Sequence, residues 1–194
     1  EGRGRLKVYL GMAPGVGKTF AMLEGARRVR DQGVDVVIGL VETHGRQDTQ
    51  ALLQGFEILP RKAHAYRGQS LSEFDLDAAL TRRPKLLIVD EYAHTNVPDS
   101  RHPKRWQDIE ELLRAGIDVH TTLNIQHLDG LNDVVARITG VRVRETIPDQ
   151  VFEKADDVEL IDLTPEELTS RLKEGKVYAG DLAGRALESY FKPG

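Results

Sequence analysis

The stretch GMAPGVGKT (11–19), placed directly after the apolar run LKVYL (6–10), limits what this chain can fold into more than any other feature. A strand that empties into a glycine-rich loop and then a helix belongs to few architectures. Backbone N–H groups of such a loop wrap phosphate oxygens where the helix dipole favours negative charge. Gly15, Val16 and Gly17 supply the loop backbone, and the two glycines are expected to allow close approach and positive φ. Lys18 is expected to reach the β- and γ-phosphates, and the Thr19 hydroxyl to ligate Mg²⁺. The pattern G-x-x-x-x-G-K-[ST] asks for a glycine five positions before Gly17, where this chain has Met12. Its glycine stands one residue earlier, at Gly11. The expectation is that Met12 strains the turn into the loop without abolishing the cradle, while Pro14 helps fix the loop. The competing reading is a chance glycine-rich turn between a strand and a helix.

Along the rest of the chain, hydrophobic runs alternate with amphipathic stretches, the pattern of a mainly parallel sheet flanked by helices. A helix is expected from about Lys18 to Asp31, then a doubly buried strand VDVVIGLV (34–41). THGRQDTQALLQGF reads as a polar loop and a short helix, AHAY (63–66) as a weak strand, and SLSEFDLDAALTRR (70–83) as helical up to Pro84. KLLIVDE (85–91) is the clearest strand. WQDIEELLRAG (106–116) is an amphipathic helix, IDVHTTLNI (117–125) another strand, and 127–138 a helix. VRVRETIP reads as extended and VELIDL (158–163) as a further strand. Thr164-Pro165-Glu166-Glu167 is a helix start with a capping box, and LAGRALESYF (182–191) a last helix. We divide the chain into a P-loop nucleotide-binding core (1–140) and a C-terminal extension packed on it (141–194), within one domain.

Asp90 and Glu91 end the LLIVDE strand, 72 residues after Lys18. A hydrophobic strand delivering an aspartate at its C-terminal end is what a P-loop protein needs for its magnesium. Open α/β sheets bind ligands beyond the carboxyl ends of their strands, so Asp90 and the loop can meet. Glu91 is the candidate catalytic base that polarises a water; its bland alternative is a solvated acid. In HTTLNIQH (120–127), neutral Thr121, Thr122, Asn124 and Gln126 are candidates to read the γ-phosphate, or else they satisfy backbone groups and cap the next helix. His94, three residues past Glu91, could couple the acid pair to the rest of the domain. The RHPKR run (101–105) reads as a solvated face or partner contact, with Arg101, Lys104 or Arg105 as alternative phosphate-steering groups.

Composition narrows the function classes. A formal net charge of −4 does not support a broad nucleic-acid-binding face. The chain has no cysteine, which rules out disulfides and cysteine–zinc sites. Its longest apolar stretches fall far short of the ~20 residues that span a bilayer. It opens EGRGR without methionine and closes FKPG after a helical pattern, so the expectation is a soluble piece of something longer.

Taken together, APGVGKT, DEYAHTN, SRHPKRWQDIEELLRAGIDV, TTLNIQHLDGLNDVV and RLKEGKVYAGDLAGRAL resemble the N-terminal cytoplasmic domain of the KdpD family, the osmosensitive potassium-channel sensor histidine kinases. The resemblance runs from about residue 3 to the end. It implies an inner-membrane parent with a universal-stress-protein-like domain, transmembrane helices and a kinase core after this segment. That parent phosphorylates the KdpE response regulator and controls the K⁺-uptake (kdp) operon. The family pattern carries ATP and Mg²⁺ binding onto Gly15, Gly17, Lys18, Thr19 and Asp90, and a displaced first glycine is a habit of that family. Glu91 and the polar strand end are not settled by it.

The expected architecture is a P-loop α/β domain with strand order 5-1-4-3-2, in which an extra strand separates the loop strand from the Asp90 strand. Three functions compete: a regulatory ATP-binding module, a catalytic ATPase using Glu91, and a thymidine-kinase-like small-molecule kinase. The last expects a structural zinc that a chain without cysteine cannot build in the usual way, and ranks lowest. Between the others the sequence leans to regulation, because no in-chain arginine finger stands out. A finger supplied by a second copy in a homodimer would reverse that preference.

Overall fold

Strand β1 (Leu6–Gly11) runs between two parallel neighbours, β7 (Asp118–Asn124) and β8 (Asp157–Ile161), with Val8 opposite both Thr121 and Val158. A strand paired on both edges and covered on both faces needs apolar side chains up and down; Leu6, Val8, Tyr9 and Leu10 are all at most 1% exposed. The computed structural model describes residues 2–13, 15–140, 142–162 and 166–167. Between β1 and β7 come α1 (Lys18–Asp31), β2 (Val36–Leu40), α2 (Gln47–Ala51), β3 (Glu57–Ile58), β4 (Lys62–Tyr66), β5 (Gln69–Glu73), α3 (Leu76–Arg82), β6 (Leu86–Val89) and α4 (Arg105–Arg114). After β7, a single 3₁₀ turn (Ile125–His127) leads into α5 (Asp129–Thr139), and α6 (Asp149–Glu153) precedes β8.

The main sheet has the order β3-β2-β6-β7-β1-β8, and every pairing in it is parallel. The α/β class is therefore as expected. Its five longer strands keep the 5-1-4-3-2 sequence, with β7 between the loop strand and the Asp90 strand. The difference is the two-residue strand β3, which adds a sixth member at the edge beside β2. Alternate residues feed two apolar layers. Leu87 and Val89 of β6 face α3, α4 and α6, whereas Leu86 and Ile88 face α1 and the segment around Leu52 and Phe56. Burying each such leucine or isoleucine contributes about 1.5–3 kcal/mol.

Helix α1 buries Phe20, Met22 and Leu23 and carries Arg28 and Arg30 in its last turn, where cations suit the helix dipole. Its first turn has no acidic residue, and Gly17 caps it without a side-chain hydrogen bond. The N-terminal N–H groups thus face the loop with no side chain competing for them.

Two expectations need correction. The stretch 70–83 is not one helix. Residues 69–73 pair antiparallel with 62–66, Tyr66 opposite Gln69, around Arg67 and Gly68, both at positive φ (51° and 77°). That is the two-residue hairpin turn whose twist suits antiparallel strands. The helix begins only at Leu76, where the Asp75 carboxylate accepts from the Ala78 N–H at 3.0 Å. It ends at Arg83, at φ 53°, because a residue before proline avoids the right-handed helical region. Secondly, Met12 does not strain the turn: its φ is not positive, its side chain is 43% exposed, and its N–H continues the β1–β8 ladder by donating to Ile161 O at 2.9 Å. The described part of VRVRETIP, expected as extended, adds no strand to the sheet and makes one bridge, Ile147 to Leu128. Pro14, the helix at 182–191 and most of the 164–167 helix start lie outside the described residues, among which no helix is long and apolar enough to cross a membrane.

Candidate functional site

Beyond the carboxyl ends of β1, β2, β6 and β7 lies a cavity of about 450 Å³. Gly15, Val16, Gly17, Lys18 and Thr19 line one side of it, Asp90 and Glu91 another, and Asn124 a third. Of the γ-phosphate candidates, Thr121 and Gln126 are not among its lining: Thr121 is fully buried within β7, and Gln126 sits half-buried in the 3₁₀ turn that carries the chain away from it.

The loop owes its shape to two glycines, only one of which has positive φ. Gly15 adopts φ 84°, while Gly17 sits at φ −79°, so the expectation of positive φ at both fails. Gly11 matters for a different reason. A Cβ there would lie 2.9 Å from Val16 Cγ2 and 3.1 Å from both Lys18 Cδ and Asn124 Oδ1. The loop folds back over Gly11, and this close approach is what the displaced glycine permits.

Asp90 is buried (1% exposed) directly after β6. Its carboxylate accepts from Thr19 Oγ1 at 3.2 and 3.3 Å, from the Glu42 N–H at 3.0 Å, and from the Thr122 hydroxyl. Interposing β7 between β1 and β6 is what puts Thr122 there. Thr19 and Asp90 fit a Mg²⁺ ion, since both offer the hard oxygen ligands it prefers. Among the described residues no group of three or more His, Cys, Asp or Glu could hold a metal. The buried Asn124 Oδ1 has no protein partner, so this carboxamide can turn either its acceptor or its donor face into the cavity.

Glu91 stands in the left-handed region at φ 64°, an uncommon conformation for a non-glycine residue. Its N–H donates to Thr122 Oγ1 at 3.0 Å, and its carboxylate lies 3.8 Å from His44 Nε2 and 3.9 Å from Arg105 Nη1. Burial and the neighbouring Asp90 raise its pKa above the ordinary 4.5, against the pull of Arg105 and His94. Burial lowers the Lys18 pKa, partly offset by Asp90 and Glu91. The lysine is thus a partly desolvated cation whose charge is shared with two acids until an anion enters.

The RHPKR run is solvated only in part: Arg101 and Pro103 are exposed, but its last residue is not. Arg105, at the start of α4, is 2% exposed and forms an ion pair with Glu73 at 2.9 Å. Lys104 Nζ donates to Ala93 O at 2.6 Å, and Arg101 pairs with Asp77 and Glu111. None of the three lines the cavity. His94 does, and its Nε2 lies 2.9 Å from Glu73 Oε1, tying the acid pair to the β4–β5 hairpin. Burial alone would raise the Glu73 pKa, but His94, Arg105 and the Val97 N–H together lower it.

Sequence reasoning missed Glu42, His44 and Arg46 on the loop after β2, and His127 and Glu145, all of which line the cavity. The polar string ETHGR after a doubly buried parallel strand was the available signal, because every parallel strand of a sheet opens at the same edge. Nothing local marks Glu145.

A family model described as "Osmosensitive K+ channel His kinase sensor domain" matches residues 2–194. The chain is 63% identical over 192 residues to Sensor protein KdpD of Escherichia coli K12, covering 99% of this chain and 22% of that protein. Sensor protein KdpD of Mycobacterium tuberculosis H37Rv is 54% identical over 192 residues, covering 99% of this chain and 22% of that protein. The homologue from Clostridium acetobutylicum is 53% identical over 191 residues, covering 98% and 21%. The chain thus spans about a fifth of the length of these relatives. With this match over nearly every residue, the chain belongs to the KdpD family of osmosensitive K⁺ channel His kinase sensor domains.

Proposed function

We propose that this domain is a cytoplasmic ATP-binding regulatory module of a two-component sensor histidine kinase. In this reading Mg²⁺–ATP occupancy biases the kinase or phosphatase state of the parent, and through a KdpE-type response regulator the K⁺-uptake operon. The observation that carries it is the convergence of Lys18, Thr19 and Asp90 on one cavity at the open end of the sheet. Loop N–H groups and Lys18 bind the phosphates. Thr19 and Asp90 hold the ion, whose chemistry is to neutralise phosphate charge. Asn124 and Thr122 present neutral polar groups beside them.

A second reading, a catalytic ATPase, rests on Glu91: its backbone conformation holds a carboxylate at the cavity with a raised pKa, as a general base needs. One paired measurement separates the two. ATP–Mg²⁺ should raise the melting temperature of this 194-residue chain, and Lys18→Ala should remove the shift. No shift in the wild-type protein rejects nucleotide binding. Turnover abolished by Glu91→Gln with binding retained favours the ATPase; tight binding without turnover favours the regulatory module.

A further inference from the structure

The cavity's charge inventory is lopsided. Four carboxylates line it, from Glu42, Asp90, Glu91 and Glu145, against the basic side chains of Lys18 and Arg46. A polyphosphate entering such a lining needs every cation available. Lys18 comes from the phosphate loop itself; Arg46 comes from the opposite wall, immediately before α2.

Arg46 is already engaged, and its partner is informative. Its Nη2 donates to Glu166 Oε1 at 2.6 Å, its Nε lies 3.8 Å from Asp48 Oδ1, and that Nε has no hydrogen-bond partner. The ion pair is open to solvent, the side chains being 37% and 69% exposed, so water and salt screen it. A guanidinium fork matches phosphate oxygens in bidentate fashion, in a cavity less screened than the surface. Phosphate is therefore the stronger claimant. Glu166 stands just beyond β8, and β8 itself is hydrogen-bonded to the start of the phosphate loop through Ile161 O and the Met12 N–H.

We infer that Arg46 is a second anion ligand of the nucleotide site and that Glu166 competes with bound phosphate for it. Filling the site takes Arg46 from Glu166, so occupancy is read out at Glu166. By linkage, whatever holds Glu166 elsewhere must tighten nucleotide binding by the same factor. This rests on the nucleotide-binding reading above.

The test is calorimetric titration of ATP–Mg²⁺, at fixed salt, into the wild-type chain, Lys18→Ala, Arg46→Ala, Glu166→Gln and the double variant Arg46→Ala/Glu166→Gln. Removing the competitor, Glu166→Gln, should tighten binding about two- to five-fold, the scale of an exposed ion pair. Arg46→Ala should weaken it about ten-fold or more, the scale of a charge-assisted bidentate contact. In the Arg46→Ala background, Glu166→Gln should then have no effect. An unchanged affinity in Glu166→Gln, or an equal change in both backgrounds, overturns the competition. If Lys18→Ala abolishes binding while Arg46→Ala is silent, the inference falls and the nucleotide site stands. If the wild-type chain gives no binding at all, both fall. Melting temperatures close to wild type in the Arg46 and Glu166 variants establish that the changes are local.

Discussion

Arg105 and Asp90 are joined through the backbone: the buried Arg105 Nη1 donates to the Asp90 carbonyl oxygen at 3.1 Å. The same guanidinium binds Glu73 through Nη2 at 2.9 Å, and Glu73 in turn accepts from the Val97 N–H at 3.0 Å. One arginine thereby clamps the turn that presents Asp90 and Glu91 onto the end of the β4–β5 hairpin. Arg105→Met should lower stability by about 3 kcal/mol, because it leaves the buried Glu73 carboxylate with only His94 and the Val97 N–H as partners. Urea denaturation measures this, and a loss below about 1 kcal/mol would mean that the pair contributes little.

Glu91 should be replaceable by glycine with a gain in stability. Holding a non-glycine residue at φ 64° costs about 1–2 kcal/mol, partly offset by the extra unfolded-state freedom of glycine. Glu91→Gly should therefore be about 0.5–1 kcal/mol more stable than wild type. A clear destabilisation would show that its 3.8–3.9 Å contacts to His44 and Arg105 outweigh the strain.

Gly11→Ala tests the displaced glycine. The added methyl meets side-chain atoms of Val16, Lys18 and Asn124 within 3.1 Å, so these side chains must shift from their places in the site. We expect ATP–Mg²⁺ affinity to fall at least about ten-fold, with a stability cost of about 1–3 kcal/mol. Unchanged affinity would show that the loop shape tolerates the shift.

A half-buried and a buried group give opposite pH responses. Burial pushes His120 from 6.5 to about 4, so between those values the unfolded chain binds more protons and stability is lost as pH falls. Burial raises Asp108 from 3.8 to about 6, so in that window the folded chain binds more protons and stability is gained as pH falls. Going from pH 7.5 to 5, His120→Gln should lose less melting temperature than wild type, and Asp108→Asn should lose more. The reverse order would place these groups in other environments.

The ATP-binding reading predicts a further dependence on Lys18. Its replacement by methionine preserves the aliphatic stem but removes the charge, so the fold should melt near the wild-type temperature while the ATP-dependent shift disappears. Retention of the shift would move the phosphate site elsewhere.

Much of the fold was legible in the residues. The doubly buried strands announce themselves as unbroken apolar runs, as in VVIGL of β2, and α1 has its expected bounds because loop and turn residues flank it. The hairpin was misread because SLSEFDLDAAL alternates weakly. Its turn rests on Arg67 at positive φ, a conformation arginine does not advertise. In the candidate site, the loop, Asp90, Glu91 and Asn124 came from motif and strand position. Glu42, Arg46 and Glu145 did not, since each belongs to a segment with no motif of its own.

By itself the sequence determined the elements whose causes lie within a few residues: strand, glycine loop and helix in order, and an aspartate at a strand end. Only the tertiary structure decided which charges are buried and which face the cavity. Arg105 sits in a run that looks solvated, yet it is buried because Glu73, 32 residues earlier, returns to neutralise it. Gly11 is needed because Val16, Lys18 and Asn124 meet above it. A charge can leave water only when a partner arrives, and these partners arrive from distant parts of the chain.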